Sequence, residues 1–553
     1  MNLSTRRAFS ASRQGPGSAF KPRHAWMLLV LLLASPLLIS PLQAQEDAGL
    51  RLATAAMERD FDAVRALLAE SGADPNALGP YATPALHWLV RVEEHDLARR
   101  LLEAGADPNL ANAYDLRPLH LAIENRDAAM VRLLLEAGAD PTLPDRTGES
   151  PLILAARSGS ADIVRAILER KVDADAREPN YDQTPLMVAV RAAAPEVVRL
   201  LLDKGVDVNA QTLPGEVPEF RLPSSQAGSR GLGIIRGGWP EHGSRNPIGG
   251  AKTPLLYATR QGDLVLTRML VEAGADLEQA DANGVTPLLN AILNGSVVSL
   301  NRPQTQHIEV ARYLIEQGAN VNVADWYGET PLWTAVLLRD LDVSGPGEEQ
   351  GVDRAAALAL IRLLLEEGAD PNARTQEYAP ERRFITGLGD LSWVDFSGQT
   401  PFLHAALSGD VTAMKLLLEY GADPNISTFG GTTPLMAAAG VNWVVSQTWD
   451  EGADALLEAV KLAHSLGNDV NAVNSMGLTA AHGAANRGSD DIIRWLAAQG
   501  AKLDVADKEG RTPLIWAHGV FLATHPPVDR PETAALIEQL LAESQAGSRS
   551  EER

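Results

Sequence analysis

Residues Arg117–Pro141 read RPLHLAIENRDAAMVRLLLEAGADP, and their pattern predicts the fold of this chain. Apolar residues recur at i, i+3 and i+4 in both halves of the stretch: Leu119, Ala122 and Ile123, then Val131, Leu134 and Leu135. That spacing predicts two short amphipathic helices. Gly138 follows the second half, where a left-handed residue ends a helix without steric cost. The stretch therefore predicts a pair of helices joined by a tight turn.

Blocks like this one recur about every 33 residues along most of the chain. The anchor proline falls at Pro84, Pro118, Pro151, Pro185, Pro254, Pro287, Pro331, Pro401, Pro434 and Pro513, with Ala480 taking its place once. The second anchor, a glycine, falls at Gly72, Gly105, Gly138, Gly205, Gly274, Gly318, Gly368, Gly421, Gly467 and Gly500. About twelve units fit between Gly49 and Glu543 on this spacing. Such units cannot bury their apolar faces alone, so the repeat predicts a stacked solenoid.

These blocks resemble the ankyrin repeat, whose signature is T-P-L-H-x-A. The best copies are RPLHLA at Arg117–Ala122, TPLLYA at Thr253–Ala258 and TPLMAAA at Thr433–Ala439. The resemblance implies an all-α solenoid of helix-turn-helix units with short β-hairpin fingers. From Gly431 to Leu514 the chain also resembles a group of exported bacterial ankyrin proteins.

Four histidines lie at or next to the fourth place of the motif: His87, His120, His404 and His482. The resemblance implies that they form hydrogen bonds within and between units. Because they lie on different repeats and form no HExxH-type pair, a metal site is not expected. Asp173 and Asp175 look like a carboxylate pair, but they match the turn positions of the motif and are expected to be turn residues.

The composition excludes several classes of protein. The chain has 553 residues, no cysteine and a net charge of −23. Without cysteine there are no disulfides, thiolate metal sites or cysteine nucleophiles. A surface this acidic opposes nucleic acids and anionic membranes and favours solubility, with a basic partner as one option. We expect a monomer with no cofactor and no evident small-molecule substrate.

The first 44 residues have the order of an export signal. Five cationic residues and no acidic ones precede or flank the apolar run from Ala25 to Ile39. Small residues then permit processing after Ala44, which would leave a chain beginning at Gln45 with a net charge of −28. We expect a periplasmic or extracellular protein. The alternative is an uncleaved N-terminal membrane anchor.

Insertions interrupt the repeat and set the predicted organisation. A signal peptide at 1–44 is followed by repeats at 45–209, a Gly/Pro/Ser-rich insertion at 210–250, repeats at 251–545 and a disordered tail at 546–553. Smaller insertions are predicted near 295–304, 340–353, 375–396 and 441–453. Those at 210–250 and 375–396 follow the glycine anchor and so extend fingers, whereas the others fall between the two helices of a unit.

The insertions carry the residues predicted to bind a partner. These are Trp239, Arg236, Trp393, Trp443 and Trp449. Aromatic and arginine side chains on loops are typical anchors of protein interfaces. The alternative is that each tryptophan packs back onto the solenoid, as large aromatics usually do.

The sequence therefore predicts a non-catalytic, exported scaffold that binds a protein partner through its concave face and its insertion loops. No P-loop, G-x-S-x-G or Cys/His cluster is present. Two alternatives remain. One is an accessory or protective factor for a periplasmic redox enzyme, and the other is an enzyme whose site is built from the insertion loops.

Overall fold

A computed structural model describes most of the chain. The described residues are 41–70, 72–215, 249–295, 304–340, 353–376, 397–443, 451–520 and 527–551. Within them, 24 α-helices follow one another as twelve pairs, and we number the pairs as units 1–12. The first, or inner, helices are α1 Pro41–Glu58, α3 Ala85–Arg91, α5 Pro118–Glu124, α7 Pro151–Ser158, α9 Pro185–Arg191, α11 Pro254–Arg260, α13 Pro287–Gly295, α15 Pro331–Arg339, α17 Pro401–Ser408, α19 Pro434–Ala439, α21 Ala480–Arg487 and α23 Pro513–Ala517. The second, or outer, helices are α2 Phe61–Ala69, α4 His95–Glu103, α6 Ala128–Glu136, α8 Ala161–Leu168, α10 Pro195–Leu202, α12 Leu264–Glu272, α14 Gln304–Glu316, α16 Arg354–Glu366, α18 Val411–Glu419, α20 Ala453–Ser465, α22 Asp490–Ala498 and α24 Pro531–Glu551.

Each inner helix packs on the next inner helix, and each outer helix packs on the next outer helix. Thus α7 lies against α9, and α8 lies against α10. The stack continues from α9 to α11 even though the long insertion separates them in sequence. The all-α ankyrin solenoid predicted from the sequence is confirmed.

The motif residues begin and end the helices as predicted. The N–H of the third residue of the inner helix donates a hydrogen bond to a serine or threonine hydroxyl just before the helix. The accepting residues are Ser150, Thr184, Thr253, Thr330, Thr400 and Thr433. Proline follows in the first turn, where its missing N–H costs nothing. Gly138, just after α6, has a φ of +95°, a conformation that favours glycine.

The fingers differ from the predicted β-hairpins. No strand is assigned among the described residues, and a single β-bridge joins Pro214 to Gly250. A regular finger is instead a hydrogen-bonded turn, in which the Asn112 N–H donates to Leu116 O at 3.0 Å. So few residues separate these two that there is no room for a ladder of strand pairs.

The apolar core forms two large clusters that meet near α12 and α14. One extends from Leu52 to Ala275, and the other from Leu288 to Ile537. Between units 6 and 7, part of the contact is polar, because the Asn290 side-chain amide donates to Leu256 O and Thr259 Oγ1, both at 2.8 Å. The two clusters share the half-buried Val271 and Leu277 at their edges.

The predicted segment boundaries lie mostly beside or outside the described residues. Most of each predicted insertion lies outside them, as does nearly all of the predicted signal peptide. α1 begins at Pro41, so cleavage after Ala44 would remove its first turn. α24 begins at Pro531 and extends to Glu551, so helix reaches into the segment 546–553 that the sequence predicts as a disordered tail; adding residues to an existing helix costs little compared with starting one. None of the described helices combines the length and the apolarity needed to span a bilayer.

Candidate protein-binding surface

The inner helices of units 2–6 present two rows of side chains on one face. The first row is Trp88, Leu121, Leu154, Val188 and Tyr257. The second row lies three residues further along each helix and is Arg91, Glu124, Arg157, Arg191 and Arg260. Residues three apart on a helix are neighbours on its surface. We call these two rows the inner face.

The inner face is open to solvent along its charged row. All five residues of that row are exposed, whereas the apolar row is half-buried or buried. The matching positions of units 7, 9 and 10 are all buried: Asn290 and Leu293, His404 and Leu407, Ala437 and Gly440. In α17 and α19 every residue is buried. A partner therefore has direct access to the inner helices in the first half of the stack, but not in units 9 and 10.

Contacts across the inner face fix the position of Arg191. Its Nη1 donates to Gln183 Oε1 at 2.8 Å, and its guanidinium carbon lies 5.7 Å from the ring centroid of Tyr257 in the next unit. Gln183 Nε2 in turn donates to the Tyr257 hydroxyl at 3.2 Å. Burial raises the pKa of Tyr257 above 10, so this hydroxyl is protonated at neutral pH.

The fingers beside this face carry exposed tyrosines. Tyr81, Tyr114 and Tyr181 are 68%, 55% and 69% exposed, although large aromatics are usually buried. Each precedes its anchor proline by three or four residues. Sequence reasoning concentrated on the insertions and missed these residues, although their nearly constant distance from the proline was a readable signal.

Of the five residues predicted to bind a partner, Trp443 is the one that the structure describes. Its ring packs beside Leu403, Leu407 and Ala437, and the Arg487 guanidinium carbon lies 4.9 Å from the ring centroid. This placement fits the packed alternative for Trp443. Trp239, Arg236, Trp393 and Trp449 lie outside the described residues.

A group of charged residues lies at the turns between the inner and outer helices of units 8–10. Arg339 Nε donates to Asp410 Oδ2 at 2.5 Å, and Arg354 pairs with Glu451. Asp340 is fully buried beside them; neither of its oxygens accepts a hydrogen bond within the described part of the chain, and Arg354 Nη2 stands 3.9 Å from Oδ1. Burial, reinforced by the nearby Asp410, raises the pKa of Asp340 well above its usual value.

The motif histidines are structural. His120 accepts from the Arg117 N–H through Nδ1 at 3.2 Å, and its Nε2 lies 3.1 Å from Leu143 O of the next finger. His482 makes the same two contacts, with the Thr479 N–H and with Arg511 O. Burial lowers the pKa of His482 to about 4, so its ring is neutral at pH 7. Searching the described residues finds no cluster of metal-ligating side chains.

The paired acids Asp173 and Asp175 lie in a finger turn. Asp173 Oδ1 accepts from the Asp175 N–H at 3.0 Å, and Asp175 Oδ1 accepts from the Asp207 N–H of the next unit at 3.1 Å. Asp175 thus links two turns, a role beyond the solvated turn residue that the sequence predicts.

A stack of helix pairs with fingers at one edge and an accessible inner face defines a repeat solenoid. The ankyrin-repeats model matches residues 52–145, 142–212, 352–447 and 450–520, and the single ankyrin-repeat model matches 283–326. The chain therefore belongs to the ankyrin-repeat family.

Similar proteins share only segments of this chain. The inactive serine/threonine-protein kinase TEX14 of Bos taurus is 43% identical over 70 residues, 12% of this chain and 5% of that protein. Neurogenic locus notch homolog protein 1 of Mus musculus is 31% identical over 144 residues, 26% of this chain and 5% of that protein. This chain thus matches about a twentieth of the length of these curated relatives.

Among solved structures, the ankyrin repeat domain of Bcl-3 is 25% identical, with 48% of this chain and 95% of that one covered and a TM-score of 0.34. The human ASB11 ankyrin repeat domain is 23% identical, with 49% and 98% covered and a TM-score of 0.35.

Proposed function

We propose that this protein is a non-catalytic, exported scaffold that binds a protein partner through the inner face of units 2–6 and the tyrosines beside it. The observation that carries the proposal is the contrast along the stack: the inner face is open in units 2–6, while the matching positions of units 7, 9 and 10 are buried. Repeat proteins use extended concave surfaces of this kind to bind partners.

The chemistry of this surface suits protein recognition. Tyrosine and arginine dominate the energetic centres of protein interfaces, because each combines apolar area with polar contacts. Tyr114, Tyr181 and Arg191 lie on successive or nearby units, so one partner can contact them together. The predicted partner is a protein of unknown identity, and neither a nucleic acid nor a cofactor is part of the proposal.

The binding proposal is tested by capture from the native cell. The double variant Tyr114→Ala/Tyr181→Ala should retain about a tenth or less of the partner that the wild-type protein captures, a loss of the size expected when two interface anchors are truncated. Both side chains are exposed, so helicity should be unchanged. Tyr420→Ala, at the end of an outer helix, is the matched control. Equal capture by all three proteins would contradict the proposed surface.

Export is a separate part of the proposal and rests on the order of charged, apolar and small residues before Gln45. Cell fractionation followed by N-terminal sequencing tests it. We expect a chain that begins near Gln45 outside the cytoplasm. A chain that begins at Met1 and stays in the cytosol would remove export from the proposal.

A further inference from the structure

Three arginines occupy equivalent positions in three successive units of the inner face. Arg157, Arg191 and Arg260 are each the sixth residue after the anchor proline, and all three are exposed. Their helices α7, α9 and α11 pack side by side. Because packed helices lie about 8–10 Å apart, the backbone positions of the three arginines form a row with about that spacing.

Among the described residues, the carboxylates near the row pair with only one of these three arginines. Arg157 pairs with Glu149, whose Oε2 accepts from Nη1 at 2.7 Å, and Lys252 pairs with Asp281. The carboxylate of Glu178 accepts hydrogen bonds from the N–H groups of three finger residues, Asn180, Tyr181 and Gln183. Among the described residues, no carboxylate lies within ion-pair distance of Arg191 or Arg260. These two exposed guanidinium groups on one face are therefore available to receive the carboxylates of a partner.

We infer that the inner face of units 4–6 binds an acidic peptide segment of the partner, with Arg191 and Arg260 receiving its carboxylates. This inference rests on the proposed function and names the partner's chemistry. A peptide in the polyproline II conformation has three residues per turn and rises about 3.1 Å per residue, so carboxylates three residues apart lie on one side and match the spacing of the row. Leu154, Val188 and Tyr257 line the adjacent apolar row and meet the side chains between the acids.

The contacts of Arg191 prepare it for this role. Its guanidinium is held by Gln183 and lies over Tyr257. An arginine that is already oriented loses less conformational entropy on binding, and its planar fork matches a carboxylate. Nucleic acid is disfavoured because it carries a negative charge on every phosphate, which the acidic molecule repels, whereas a peptide segment with a few acidic residues places its charge at the arginines.

The test measures binding of defined probes to the full-length protein by fluorescence anisotropy. The first probe is a twelve-residue peptide with glutamate at every third position and serine or leucine between. The second replaces each glutamate with glutamine, and the third is a twelve-nucleotide oligothymidine. We expect the glutamate peptide to bind at least tenfold more tightly than either of the others. Failure of the glutamate peptide to bind, or tighter binding of the oligonucleotide, would overturn the inference.

Paired variants locate the binding. Arg191→Ala/Arg260→Ala should weaken binding of the glutamate peptide at least tenfold. The control Arg170→Ala/Arg199→Ala removes two exposed arginines at the end of α8 and on α10, and should leave binding unchanged. Equal affinities for both double variants would overturn the inference. If Arg191→Ala/Arg260→Ala still captures the native partner and Tyr114→Ala/Tyr181→Ala does not, the proposed function stands and the acidic-segment inference falls.

Discussion

At the residue scale, the motif histidines couple stability to pH. His404 is buried and its Nδ1 lies 3.2 Å from Gln399 Oε1. Burial lowers its pKa to about 4, against an ordinary value of 6.5. Between these values the unfolded chain binds a proton that the folded chain does not. Folding stability therefore falls as the pH is lowered from about 6.5 towards 4.

Replacing His404 should remove its share of this pH dependence. The free energy of unfolding should fall between pH 6.5 and pH 5 in both proteins, and the fall should be about 1.5 kcal/mol smaller in His404→Gln than in the wild type. This figure is the pKa shift converted to free energy over that pH range. Urea unfolding at the two pH values measures the difference, with the exposed His518→Gln as control. The same loss in wild type and His404→Gln would show that the ring titrates normally in the folded state.

Asp340 gives folding stability the opposite dependence on pH. Its pKa is raised by burial, so its favourable contribution is present at low pH and is lost as the pH rises through its folded-state pKa. Asp340→Asn removes the cost of ionising a buried carboxyl beside Asp410 and should stabilise the protein at pH 8 by about 1–3 kcal/mol. The gain should shrink as the pH approaches 4. Denaturation of this variant and of Asp115→Asn, a half-exposed control, measures it; a less stable Asn variant at pH 8 would contradict the assignment.

At the element scale, asparagines in the finger turns link successive units. Asn109 Nδ2 donates to Gly138 O at 3.0 Å, and its Oδ1 accepts from the Asp140 N–H at 2.7 Å. Asn76, Asn209, Asn322, Asn372 and Asn471 make the same pair of bonds to the next unit. Asp175 occupies the equivalent place after unit 4. Its carboxylate accepts from the Asp207 N–H but has no N–H group with which to make the second bond.

Completing this link should stabilise the stack. Asp175→Asn supplies the missing donor for Gly205 O. It also removes repulsion from Asp173 and Asp207, because the pKa of Asp175 is raised mainly by burial and further by these two acidic residues. We expect a gain of about 1 kcal/mol. The reverse change, Asn109→Asp, should cost a similar amount. Thermal unfolding followed by circular dichroism compares the two; a destabilised Asp175→Asn would show that the link does not form there.

The long insertion is closed at its base by the same bond as a regular finger. The Thr212 N–H donates to Lys252 O at 3.1 Å, and Pro214 and Gly250 form the bridge. Gly250 has a φ of +93°, and a Cβ there would lie 2.1 Å from Leu213 O. Only glycine fits that close approach.

Deleting residues 216–248 and joining Gly215 to Gly249 by a short Gly-Ser linker should leave the solenoid folded. The closing bonds lie outside the deleted segment, and loop entropy changes by only about 0.6 kcal/mol per doubling of length. Circular dichroism and thermal unfolding compare it with the intact chain. Lost helicity would mean that the deleted segment is part of the stack.

The sequence predicts the parts of this molecule that depend on local pattern. The helix pairs, the Thr184 cap and the left-handed Gly138 each follow from residues that are neighbours in the chain. The pairing of Arg339 with Asp410 does not, because these residues are 71 positions apart. The sequence shows the arginine row at the sixth place after Pro151, Pro185 and Pro254. Whether those arginines are exposed depends on the tertiary packing around each unit, which local pattern does not predict.

At the scale of the whole molecule, the inner face is open in units 2–6, whereas the matching positions of units 9 and 10 are buried. The two halves have separate core clusters that meet beside the polar contacts of Asn290. A partner can therefore approach the inner helices of the first half without displacing the packed residues of the second. The outer helices α8 and α10, with Arg199 on their exposed side, present the alternative surface.

Photo-crosslinking in the native cell tests the open inner face most directly. A photoreactive phenylalanine analogue is placed singly at Tyr114, Leu154 and Tyr257 on the inner side, and at Arg199 and Val265 on the outer side. We expect adducts to one partner protein from the inner positions and none from the outer ones. Adducts only from Arg199 and Val265, or from neither set, would contradict binding through the inner face of units 2–6.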